Sequence, residues 1–183
     1  MLLPVDKLVG DVVFPLMQLV GERWQHGTLT IAQEHMTSSI LRNLLGGLVR
    51  LSNTSTQSQK ILFATPSGEL HEFGILAAAM LAVAAGFEAL YLGPSLPPLE
   101  SVSAAERTSP RAVVVGIKAS EPTQATIDEL RMISAKLPKT AELWLGGSNV
   151  KQTVASIGSK RTIALVDFSE FEENLARLKR ENR

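Results

Sequence analysis

Glu69, His71 and Gly74 fall in one short stretch, Glu-x-His-x-x-Gly, between the apolar run Ile61–Thr65 and a long alanine-rich segment. An imidazole in such a loop can hold a metal through one ring nitrogen while its other N–H is held by a carboxylate. That second contact selects the tautomer and makes the ligand more basic. Glu69, two residues upstream of His71, is the carboxylate within reach. Gly74 has no side chain, so the helix it opens can begin close to a bulky ligand. The competing reading of so short a motif is a loop histidine that only caps or packs. A second group lies upstream, where nine residues separate Trp24 from Glu34-His35. A Trp face offers apolar area and stacking, and Glu and His offer the few directed hydrogen bonds that orient a ligand. The plain alternatives are a core anchor for Trp24 and a solvated helix face for Glu34 and His35. Zinc suits none of these residues: His26 and His35 are not spaced i, i+4, and the chain has no cysteine.

The elements that must position these groups divide the chain at about residue 52. Residues 1–52 form the expected cap, within which residues 4–52 read as two helices. The first carries Leu8, Val12, Val13, Leu16 and Val20, with Pro15 as a kink or break. Thr28 or Thr30 is the N-cap of the second, which carries Met36, Ile40, Leu44, Leu48 and Leu51 along one face. Glu34 and His35 lie off that stripe. A polar linker, residues 53–60, marks the boundary. From residue 61 to 183 short apolar runs alternate with helical segments. The expected strands are 61–65, 89–92, 112–117, 142–145 and 162–166. The expected helices are 73–86, 98–108, 123–136, 149–157 and 168–181. This alternation predicts an α/β fold with a five-stranded parallel, flavodoxin-like sheet. His71 then stands at the carboxyl end of the first strand, where such sheets bind cofactors.

The 183 residues are 45% hydrophobic and 20% charged, with 18 basic and 18 acidic side chains. No net field favours nucleic acid or an anionic membrane. The basic cluster Arg177, Lys179, Arg180 and Arg183 is interleaved with Glu and Asn and reads as a solvated helix end. No apolar run reaches membrane length, and Met1–Lys7 lacks the basic region and cleavage site of a signal peptide. Cytoplasm is the expected location.

Glu69-x-His71-x-x-Gly74 resembles the Asp-x-His-x-x-Gly signature of cobalamin (vitamin B12) binding domains, with Glu for Asp. Trp24-x9-Glu34-His35 resembles the helical cap of CarH/LitR-type photoreceptor regulators of the MerR family. Tyr91-Leu92-Gly93-Pro94 after the second strand and Leu145-Gly146-Gly147 after the fourth extend the similarity over nearly the whole chain. The resemblance implies a cobalamin-binding domain preceded by a partial helical-bundle cap, of which two helices are expected here. His71 would ligate cobalt from below with Glu69 as its hydrogen-bond partner. Trp24, Glu34 and His35 would cover the upper, adenosyl face. Tyr91, Gly93 and Pro94 would lie at the corrin, and Gly146 and Gly147 would let the nucleotide tail pass.

The third strand ends Gly116-Ile117-Lys118-Ala119-Ser120, without the Ser-x-Leu common in the wider family, so Ser120 is the hydroxyl expected at the tail. Gln25 stands where the photoreceptors can carry a His directly after the cap Trp. His26 lies ~100° further round the helix and reads as an exposed helix-end residue. Adenosylcobalamin is the form the cap implies, with methyl- or hydroxocobalamin as alternatives. The implied role is a non-enzymatic light sensor within a transcriptional regulator, able to form a homo-oligomer. It would reach DNA only through a domain that these residues do not contain. The alternative is a corrinoid carrier subunit of a methyltransferase system.

Overall fold

In the computed structural model of the chain, the described residues are 4, 7–52, 58–118 and 121–181, without the side chains of Phe14, Trp24, Gln25, Leu51 and Ser52. A π-helical segment, Leu8–Val13, runs into α1 (Phe14–Gln25). The change of pitch falls just before Pro15, which has no N–H to continue the ladder. Helix α2 (Ile31–Ser52) follows. Its start is a reciprocal cap: Gln33 N donates to Thr30 Oγ1 (3.2 Å) while Thr30 N donates to Gln33 Oε1 (3.0 Å). Of the expected linker, residues 53–57 lie outside the described residues, and Lys60 already belongs to the first strand.

The rest alternates as expected: β1 (Lys60–Ala64), α3 (Phe73–Ala84), β2 (Glu88–Gly93), α4 (Pro98–Thr108) and β3 (Ala112–Ile117). Then come α5 (Gln124–Lys136), β4 (Glu142–Gly147), α6 (Val150–Ile157), β5 (Thr162–Leu165) and α7 (Phe168–Glu181). The strands form one parallel sheet of order β2-β1-β3-β4-β5, the flavodoxin-like arrangement. Alternate residues of each strand feed opposite faces. Ile61, Phe63, Val114 and Trp144 enter one core with α3, α7 and the cap helices. Leu62, Val113, Val115, Leu143 and Leu145 enter the other, under α5 and the start of α6. Trp144 is wholly buried, meets Phe171 edge-on and donates its indole N–H to Glu142 (2.7 Å).

Helix α3 is buried without interruption from Ile75 to Ala82, because the sheet covers one side of it and α2 packs along another. A helix enclosed in this way is apolar all round, and its alanines let both neighbours approach. The face that α2 turns inward corrects the expected stripe. Leu45 and Val49 are buried, whereas Met36, Ile40, Leu44 and Leu48 are exposed. Leu41, Leu45 and Val49 form a second i, i+4 row beside the first, and it is this row that meets α3. On the π-helical segment Val9 and Val13 are buried while Val12 faces out, as does Leu16 on α1.

Candidate functional site

The carboxyl ends of β3, β4 and β5, the segment that follows β1 and the cap helices border an open cavity of about 1020 Å³, about the upper limit of small-molecule and cofactor pockets. His71 forms part of its wall, and the loop carrying His71 is tied down at Glu69. The backbone N–H of Glu69 donates to Pro66 O (3.0 Å), and its carbonyl accepts from Ser95 N (3.1 Å) and from the Thr65 hydroxyl. One carboxylate oxygen, Oε1, accepts from His71 N (2.9 Å) and lies 2.6 Å from His71 Nδ1. The other, Oε2, accepts from Lys118 N (3.0 Å), which fastens the loop to the end of β3. Burial opposes the charged form of Glu69. The hydrogen bonds from His71 backbone and ring and from Lys118 outweigh it, and the carboxyl is held below its usual range. With Nδ1 engaged, Nε2 of a largely exposed ring is the nitrogen left for a metal.

Two glycines shape the strand ends. A Cβ on Gly147, whose φ is +133°, would sit 1.8 Å from the carbonyl oxygen of Ile117, so no other residue fits there. A Cβ on Gly116 would lie 2.7 Å from Ile75 Cγ2, so the end of β3 and α3 meet without a side chain between them. Gly74, Gly146 and Gly147 all line the cavity.

From the cap, α1 contributes Met17, Gln18, Val20, Gly21 and Glu22, and α2 contributes Glu34, Ser38 and Leu41. Ser38 Oγ donates to Glu34 Oε1 (2.6 Å), which fixes that carboxylate. His35 is not among the lining residues: its side chain is 74% exposed, with Nε2 3.6 Å from Glu34 Oε2. Trp24 is placed on α1 by its backbone alone, and Ser120 lies outside the described residues. His26 is exposed at the end of α1, its Nδ1 2.8 Å from Glu22 O.

The β2 end is arranged differently from the expectation. Gly93 closes the strand and its carbonyl accepts from Thr65 N (3.3 Å), while Pro94 is exposed. Tyr91 is not among the lining residues, and its hydroxyl donates to the Glu72 carboxylate. Burial first, and Glu72 second, push its phenol pKa well above the usual range. Besides Gln18, Glu22 and Ser38 of the cap, three polar lining residues at the strand ends were not singled out from the sequence: Lys118, Ser148 and Asp167. Each follows the carboxyl end of a parallel strand within three residues, and that position is the signal that could have found them.

The donor set suits a metal that arrives in its own macrocycle. Among the described residues no three His, Cys, Asp or Glu side chains gather to hold an ion by themselves. A cobalt corrin brings its own ring nitrogens, and His71, the strand-end glycines and the apolar lining are the groups that could hold one.

Residues 2–48 match the family model described as B12 binding domain. That match falls on the helical segment ahead of the flavodoxin-like sheet. Over 146 residues, 80% of the chain, the sequence is 33% identical to the HTH-type transcriptional repressor CarH of Myxococcus xanthus. The chain spans 48% of that relative's length. Solved structures share the fold at low identity. The monomethylamine corrinoid protein of Methanosarcina barkeri superposes with a TM-score of 0.68 at 16% identity, covering 96% of this chain and 84% of that one. The methanol:cobalamin methyltransferase complex MtaBC of the same organism gives 0.58 at 15%, covering 96% and 67%.

Proposed function

We propose that the chain is a cobalamin-binding light-sensing domain of a transcriptional regulator, with adenosylcobalamin as its working form. The observation that supports this most is His71, an imidazole held by a carboxylate at Nδ1, with no partner for Nε2 among the described residues, in the wall of a cavity of about 1020 Å³. His71 would hold the cobalt, and Glu69 would fix the ring and keep its tautomer. Gly74, Gly146 and Gly147 let the backbone approach the macrocycle and its tail, with Ser120 near the tail. Above, Glu34, held by Ser38, would accept hydrogen bonds from a sugar hydroxyl, and Trp24 would complete the cover, whereas His35 points away from the cavity. Bound cobalamin supplies a cobalt–carbon bond that visible light breaks. The residues of the cap make contacts with the upper group only while it is present, and that difference biases a two-state cap or homo-oligomer. The chain itself turns nothing over.

An absorption spectrum of the protein mixed with adenosylcobalamin in the dark, before and after green light, tests the reading. The expected result is a His-on spectrum that converts on illumination to a protein-dependent product, and its disappearance in His71→Ala. Binding without such a product would instead indicate a corrinoid carrier subunit, and no binding would overturn both.

A further inference from the structure

Glu72, the residue after His71, is 1% exposed, although it is charged and sits between the exposed His71 and the opening of α3. Its carboxylate accepts from two elements at once. Oε1 takes Arg42 Nε from α2 and Oε2 takes the Tyr91 hydroxyl from β2. A buried carboxylate is costly to leave unpaired, so these two partners hold Glu72, and the turn it ends, in one place. His71 is thereby bracketed: Glu69 ties its loop to the end of β3, and Glu72 ties it to the cap.

Arg42 has a particular address on α2. It lies one turn beyond Ser38 and two beyond Glu34, on the same side of the helix and ~12 Å from Glu34 along its axis. Glu34 and Ser38 line the cavity. One continuous helix therefore joins the groups over the upper side of the cavity to the anchor of the turn that carries His71. We propose that Glu72 is a positioning residue for the axial imidazole. Through Arg42 and Tyr91 it sets the His71 turn in register with the cap, so that cap placement and ligation by His71 are adjusted together. This rests on the assignment of His71 as the cobalt ligand.

The test uses the full chain loaded with hydroxocobalamin, with His71→Ala giving the reference His-off spectrum. Glu72→Gln and Arg42→Met should each lower the ratio of His-on to His-off species about tenfold, the scale on which a partner of a metal ligand acts. Arg42→Lys, which keeps a donor to the carboxylate, should recover most of the His-on form. Arg42→Met should lower the melting temperature, because it leaves the buried Glu72 carboxylate one partner short, so its spectra are read below the unfolding transition, where circular dichroism shows it folded. If Glu72→Gln fails to fold, Arg42→Met decides alone. A wild-type His-on spectrum left unchanged in the folded variants would overturn the role of Glu72 while leaving His71 as ligand. A wild type that binds without any His-on signature would instead remove the ligand assignment itself.

Discussion

Glu69 commits both carboxylate oxygens to the His71 loop, one to the ring and backbone of His71 and one to Lys118 N. Glutamate has one more methylene than the aspartate usual in this signature, and here the extra reach bridges β1 and β3 as well as holding the imidazole. Glu69→Ala should therefore weaken cobalamin binding ~10–100-fold, measured by titration against the wild type, with the fold intact by circular dichroism. Tyr91 offers a second check because it is the chain's single tyrosine. Its proton is held more tightly folded than unfolded. The stability that this confers is complete below the ordinary phenol pKa of about 10 and declines as pH rises through the raised folded value. At pH ~11 the folded chain should show no phenolate absorption band, and denaturant should bring it out. A band already present in the folded chain would place Tyr91 away from Glu72.

At the scale of elements, the ends of the strands carry the strictest geometry. Gly147→Ala sets a methyl group against the Ile117 carbonyl and forces an L residue to φ +133°. It should cost upwards of ~2 kcal/mol in chemical denaturation, or prevent folding. The strands and helices of residues 60–181 were legible to within two or three residues, since short β-branched runs alternate there with helical periods and turn residues. The inward face of α2 was not legible. Met36–Ile40–Leu44–Leu48 and Leu41–Leu45–Val49 are both apolar rows at helical spacing, and hydropathy cannot choose between them. What distinguishes them is α3, whose packing against the second row is a long-range fact. Glu72 was hidden for a related reason. A charged residue reads as solvent-facing until Arg42 and Tyr91 are brought to it from 30 residues before and 19 after.

For the whole molecule the choice of face on α2 has a measurable consequence. Leu45→Ala should lose ~2–5 kcal/mol of stability, whereas Leu44→Gln should change it by no more than ~0.5 kcal/mol. Equal losses in a denaturant titration would mean that something covers the outer row. The lining of the cavity was legible at His71, Gly74 and Glu34, and the Glu69–His71 contact was legible in their spacing. It was illegible where the lining comes from ordinary polar residues at strand ends, such as Lys118 and Ser148, whose types alone suggest no ligand. The two tryptophans divide along the same lines. Trp144 is sealed in the sheet core against Phe171, and Trp24 belongs to α1, the helix that forms one side of the cavity. In Trp24→Phe the remaining indole should emit at the short wavelengths of an apolar site until the sheet itself opens. The difference between this variant and the wild type then isolates the fluorescence of the cap, so that events in the helices above the cavity can be followed optically apart from unfolding below it.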